Sequence, residues 1–75
     1  MPAVTLADLD LDATLRPLLI SHAATVAAWR RNEPGAWGAL AAQAILATHR
    51  ALGRKLTEGE RRVVWEKMWR MLKEG

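Results

Sequence analysis

Large apolar residues recur at steps of three and four positions through the segment 15–31. This spacing places side chains on one face of an α-helix. The residues concerned are Leu15, Leu18, Leu19, Val26 and Trp29. Thr14 is expected to cap the helix, which puts Pro17 in the first turn, where its missing N–H costs nothing. The pattern predicts one amphipathic helix over about residues 14–31.

The next segment, 36–52, is apolar nearly all the way round. A helix of this kind is normally covered on several sides, so we expect it to be the central helix, ended by Gly53 in the left-handed conformation. Gly38, Ala42 and Ile45 form a stripe of mostly small side chains on it. Such a stripe allows another helix to approach closely.

The strongest local signal lies at the start of the third predicted helix, over about residues 58–73. Thr57 and Glu60 have the spacing of a capping box, in which each side chain bonds the backbone N–H of the other residue. A wide apolar arc follows on this helix, and charged residues fill its other side. The arc consists of Val64, Trp65, Met68, Trp69, Met71 and Leu72.

Short connections between these segments predict an all-α three-helix bundle over residues 14–75. Ahead of it, Asp8, Asp10 and Asp12 alternate with leucines in a strand-like pattern. Nothing else in the chain resembles a strand that could pair with it. Residues 1–13 are therefore expected to form a short, irregular, acidic N-terminal arm lying on the bundle.

The size of the core points to self-association. The chain has 75 residues, and 14 of its hydrophobic residues are alanine. Burial in a domain this small barely offsets the conformational entropy of folding, and a second copy is the obvious supplement, because the chain has no cysteine for a disulfide or zinc site. We expect a two-fold homodimer, the commonest closed arrangement.

The predicted interface lies on the third helix. One apolar seam suffices to cover the chain's own helices, and a second seam with two tryptophans has no evident partner in an alanine-rich bundle. The interface residues are expected to be Trp65, Met68, Trp69 and Leu72. A competing interpretation packs both seams inside the bundle, as a tryptophan core.

A second functional hypothesis rests on charge. The net charge is +3, and basic residues bracket the turn between the second and third helices. This basic elbow consists of Arg50, Arg54, Lys55, Arg61 and Arg62. It is typical of a surface that contacts phosphates, and the alternative function is a small nucleic-acid-binding accessory protein. Glu58 and Glu60 argue against it, because they would repel phosphates at the start of the would-be recognition helix.

Catalytic and metal chemistry find little support. His22 lies in the apolar stripe of the first helix and is expected to be buried, with His49 about one helical turn away, but no third ligand accompanies them. Each histidine is expected to be hydrogen-bonded. The clustered aspartates lie on the arm, and no nucleophile motif or phosphate loop is present. We expect a noncatalytic protein without cofactor, metal or small-molecule substrate.

Cellular location is predicted from what the sequence lacks. Its uncharged stretches are shorter than the roughly 20 residues of a membrane span, and the charge order at its start is wrong for a signal peptide. These features predict a cytoplasmic protein. Trp65 and Trp69 beside several cations also leave open a helix lying on a membrane surface.

Overall fold

The structure is a computed structural model that describes residues 6–74. A single 3₁₀ turn, Leu6–Asp8, precedes four α-helices: α1 (Leu11–Ser21), α2 (Ala23–Arg30), α3 (Ala36–Leu52) and α4 (Glu58–Glu74). No strand occurs between residues 6 and 74. The all-α class is confirmed, with four helices where the sequence predicted three. None of the helices described is long and apolar enough to cross a membrane.

The first predicted helix begins earlier than expected. The Asp10 carboxylate accepts a hydrogen bond from the backbone N–H of Ala13, with an N–O distance of 3.1 Å, and so caps α1. Thr14, the expected cap, donates its hydroxyl proton to the Asp10 carbonyl oxygen instead, at 2.9 Å. The prediction of Thr14 as cap is therefore wrong, and Pro17 lies inside α1 rather than in its first turn.

The prediction of one continuous helix over residues 14–31 is also wrong, because the chain leaves helical geometry at His22 (φ −113°, ψ 35°). Pro17 cannot donate a backbone hydrogen bond within α1. Its carbonyl oxygen also accepts a bond from the Ser21 hydroxyl at 2.7 Å, a contact that tends to bend helices. His22 consequently lies half-buried at the junction of α1 and α2, and not in the middle of a buried stripe.

The expected central helix is confirmed in its bounds and its position. α3 packs against α1, α2 and α4. It ends at Gly53, whose φ of 72° is left-handed and whose N–H bonds the His49 carbonyl oxygen at 2.8 Å. Thr48 is fully buried, and its hydroxyl is satisfied by the Ala44 carbonyl oxygen at 2.8 Å. The centre of the bundle therefore holds no unpaired hydroxyl at this position.

The capping box of α4 forms as predicted. The Thr57 hydroxyl oxygen accepts from the Glu60 backbone N–H at 3.2 Å, and a Glu60 carboxylate oxygen accepts from the Thr57 N–H at 2.9 Å. α4 then contributes four buried side chains to the core. The core consists of Leu15, Leu40, Ala44, Leu52, Leu56, Val64, Met68, Met71 and Leu72.

The acidic segment lies against the bundle through its leucines and through one ion pair. Leu6, Leu9 and Leu11 pack against the core. Asp12 reaches Lys67 on α4, with 2.6 Å between Oδ1 and Nζ. The hydrogen bond from Lys67 holds the pKa of the Asp12 carboxyl below its ordinary value. From Leu11 onward the predicted arm belongs to α1, and residues 1–5 of it fall outside the described residues.

Candidate interaction surface on α3 and α4

The apolar arc of α4 is divided between the core and the surface. Met68 and Leu72, two of the four predicted interface residues, are 0% and 2% exposed, so they belong to the chain's own core. Trp65 and Trp69 remain 37% and 44% exposed. The predicted interface therefore narrows to these two residues, which we call the tryptophan face. Because both tryptophans reach the surface, the competing interpretation of a tryptophan core is wrong.

The helical repeat explains this division. Positions 64, 68 and 71 lie on the side of α4 that meets the bundle. Positions 65 and 69 are one helical turn apart and lie on the neighbouring side of the helix. The depression that Trp65 lines includes two α3 residues with little or no side chain, Gly38 and Ala42. At these positions α3 offers little side chain to cover an indole ring, and Trp65 stays 37% exposed.

An open apolar groove of about 610 Å³ runs between α3 and α4, beside the tryptophan face. Its α3 side consists of Trp37, Gly38, Ala41, Ala42, Ile45 and Leu46. Its α4 side consists of Arg61 and Trp65. The small-residue stripe predicted on α3 thus lies at the surface, where Gly38 and Ala42 are exposed and no helix of the described chain covers them.

Arg61 is the one cation among the groove residues. It is exposed, and it makes no ion pair with any other described residue. Its neighbour Arg62 pairs with Glu58, with 3.4 Å between the guanidinium and the carboxylate. Arg61 therefore has an unengaged guanidinium at the edge of an apolar surface.

Trp69 lies one turn beyond the groove and already holds a cation. The Lys73 Nζ atom stands 4.3 Å from the centroid of its ring, at cation–π distance. On the adjacent side, Glu66 and Arg70 form an ion pair at 2.6 Å. The charged residues around the exposed indole therefore already have partners within α4: Lys73 contacts the ring itself, and Glu66 and Arg70 contact each other.

The sequence pattern singled out both tryptophans, and Arg61 as part of the basic elbow, but it did not predict the groove that Trp37, Leu46 and Arg61 line. The available signal was that α3 is apolar nearly all round while the bundle offers too few helices to cover it. Leu46, which is 46% exposed, is the visible consequence.

The basic elbow is partly neutralised in the structure. Arg54 makes a bidentate pair with Glu60, each contact being 2.8 Å. The Arg54 guanidinium, aided by the Thr57 backbone N–H, lowers the pKa of Glu60 to about 2. Arg62 pairs with Glu58. Arg50, Lys55 and Arg61 are the members of the predicted elbow that form no ion pair within the described chain.

The histidines and carboxylates do not assemble into a reactive site. No group of three His, Cys, Asp or Glu side chains within residues 6–74 is placed to hold a metal ion. Asp10 and Asp12 are used as a helix cap and as an ion-pair partner. The expectation that both histidines are hydrogen-bonded is wrong for His49, whose buried Nε2 atom has no partner among the described residues.

Comparison with known proteins adds no relative: no protein-family model, no curated protein and no solved structure matches the chain.

Proposed function

We propose that the chain is a noncatalytic, cytoplasmic interaction module that self-associates as a homodimer through the tryptophan face and the adjoining groove. The observation that carries the proposal is that Trp65 and Trp69 are more than one-third exposed side by side on one helix. Exposed apolar patches of this kind mark interfaces, and tryptophan is among the residues that most often dominate binding energy.

The exposed area of the two indoles sets the strength of association that they can support. At their observed exposures, the two indoles present roughly 100 Å² each to solvent, given about 250 Å² for a whole tryptophan. Burying both on two protomers removes about 400 Å² of apolar surface, worth about 10 kcal/mol at 25 cal/mol per Å². Association costs about 4–15 kcal/mol, so the tryptophans alone give a marginal dimer.

The groove adds apolar surface beside the two indoles. A standard interface buries about 800 Å² on each partner, well beyond what two indoles offer. The groove extends the apolar surface across α3, and Leu46 and Trp37 add large side chains to it. The two features are continuous through Trp65, which belongs to both.

Light scattering coupled to size exclusion tests the proposal at micromolar concentration. We expect a mass near twice the 8.3 kDa of the monomer. The double variant Trp65→Ala plus Trp69→Ala should give a folded monomer, with its helical content checked by circular dichroism. A wild-type mass near 8.3 kDa at every concentration would refute self-association.

A matched control comes from the other side of α4. Val63 is 49% exposed but does not line the groove. Val63→Ala therefore removes exposed apolar surface without touching the tryptophan face, and the dimer should persist. Equal weakening by this variant would mean that general hydrophobicity, and not this face, drives association.

Nucleic-acid binding stays the second hypothesis and has its own test. The glutamate pairs of Arg54 and Arg62 leave fewer cations for phosphates, which is why we favour self-association. Retardation of duplex and single-stranded DNA at two salt concentrations separates the hypotheses, because binding to phosphates weakens steeply with salt. We expect no retardation at either concentration.

A further inference from the structure

The tryptophan face and the groove lie on the same side of α4. In a two-fold dimer, the tryptophan face of each copy can therefore meet the groove of the other copy. In an isologous dimer, if residue i contacts residue j of the second copy, then j contacts i. Arg61 and Trp69 lie four residues before and four residues after Trp65. An antiparallel pairing of two α4 helices centred at Trp65 therefore brings each Arg61 opposite Trp69 of the second copy.

Charge favours this antiparallel arrangement over a parallel one. In a parallel pair, each residue meets its own copy, so that Arg61 faces Arg61 and Lys73 faces Lys73. The antiparallel pair instead places Lys73 level with Thr57 and Glu58 of the second copy, where the charges are opposite. It also avoids the pairing of Arg61 with Arg61, and of Lys73 with Lys73, that a parallel pair would impose.

The unengaged guanidinium of Arg61 gains a partner in this arrangement. One face of the Trp69 ring already carries Lys73 at 4.3 Å. Trp69 is also 44% exposed, and guanidinium groups stack well on indoles, so Arg61 of the second copy is a suitable further partner for this ring. Arg61 also lines the α3/α4 groove, so an indole placed against it lies at the mouth of that groove.

The groove has room for an indole. Gly38 and Ala42 line it and are exposed, and a Cβ atom added at Gly38 would meet nothing within 4 Å. The α3 side therefore accepts a large side chain without displacing the backbone of the bundle.

We propose that the homodimer is an antiparallel pair of α4 helices about a two-fold axis at Trp65, in which Trp69 of each copy enters the α3/α4 groove of the other and stacks on its Arg61. This assignment rests on the self-association proposed above and adds its register and its two reciprocal contacts.

Complementation between two variants tests the register. Trp69→Ala removes the inserted side chain, and Ala42→Phe fills the groove at an exposed position. Each variant alone should raise the dimer dissociation constant at least tenfold. An equimolar mixture should form more dimer than either variant alone. In the mixed dimer, Trp69 of the Ala42→Phe copy enters the open groove of the Trp69→Ala copy. At the second site the filled groove meets an alanine, so no side chains clash there.

The results separate the two proposals. Sedimentation velocity measures the dimer fraction, and Ala39→Phe is the control, because Ala39 is exposed on α3 but does not line the groove. A dimeric wild type whose variants dimerise normally, or a mixture no better than its components, overturns the register while self-association stands. A monomeric wild type overturns both.

Two neighbouring arginines provide a second measurement that leaves the fold untouched. Arg61→Gln should raise the dimer dissociation constant about two- to fivefold, the usual worth of a cation–π contact near a surface. Arg62→Gln should leave it unchanged, because Arg62 is engaged by Glu58 and does not line the groove. An effect of Arg62→Gln equal to that of Arg61→Gln would contradict the assignment.

Discussion

Removal of the Thr57 hydroxyl is the cleanest probe of what holds α4 in place. Thr57 is exposed, so Thr57→Ala leaves the core intact and deletes only the hydrogen bond from the Glu60 N–H to the hydroxyl oxygen, 3.2 Å long. The reciprocal bond, from the Thr57 N–H to the Glu60 carboxylate at 2.9 Å, does not depend on the hydroxyl. The variant therefore breaks one half of the capping box.

The expected loss follows from that geometry. Replacing a threonine cap by alanine costs about 1 kcal/mol, within a range of about 0.5–2 kcal/mol. Because the Glu60 half of the box survives, we expect a value near the middle of that range. For a domain of this size, 1 kcal/mol lowers the melting temperature by about 4–8 °C.

Thermal melts followed by circular dichroism measure this loss. All variants must be compared at one protein concentration, because self-association would make the melting temperature depend on concentration. Thr57→Ser is the matched control, since it retains the accepting oxygen and should stay within about 0.5 kcal/mol of the wild type. An unchanged melting temperature for Thr57→Ala, or an equal loss for Thr57→Ser, would refute the assignment of Thr57 as cap.

Two further predictions concern the ends of α1 and α4. Asp10→Ala should destabilise the fold by about 1 kcal/mol in a urea melt, whereas Thr14→Ala should stay within about 0.5 kcal/mol, because Asp10 and not Thr14 accepts from the helix N–H groups. The low pKa of Glu60 makes stability depend on acid: the contribution of its pair with Arg54 is complete above the ordinary pKa of 4.5 and is lost as the pH falls towards about 2. Melts between those pH values should show a weaker dependence in Glu60→Gln, and an identical slope would contradict the pairing.

Much of the second half of the fold could be read from the sequence. The bounds of α3 and α4 were predictable because their ends depend on local chemistry: a glycine that adopts a left-handed conformation at Gly53, and the reciprocal bonds of Thr57 and Glu60. Residues within one turn of each other form these contacts, so their spacing carries the information.

The start of α1 could not be predicted in the same way, because the sequence offers two possible N-caps. Asp10 and Thr14 are both good caps, and periodicity cannot decide between them. The leucines at positions 6, 9 and 11 pack against the core, and Asp12 pairs with Lys67. The segment where α1 begins is therefore held by contacts with the bundle, which the local sequence does not show. The break between α1 and α2 at His22 could not be predicted either, because the apolar spacing continues from one side of His22 to the other.

The candidate surface shows the same division. The sequence alone determined that α4 carries more apolar residues than a small bundle needs, and that two of them are tryptophans. Only the tertiary structure decided which are buried, placing Met68 and Leu72 inside and leaving Trp65 and Trp69 outside. The physical reason is that a helical wheel gives the angle of a side chain but not the size of the neighbour it meets. Here Trp65 shares a groove with Gly38 and Ala42 of α3, which offer little side chain, and it stays 37% exposed.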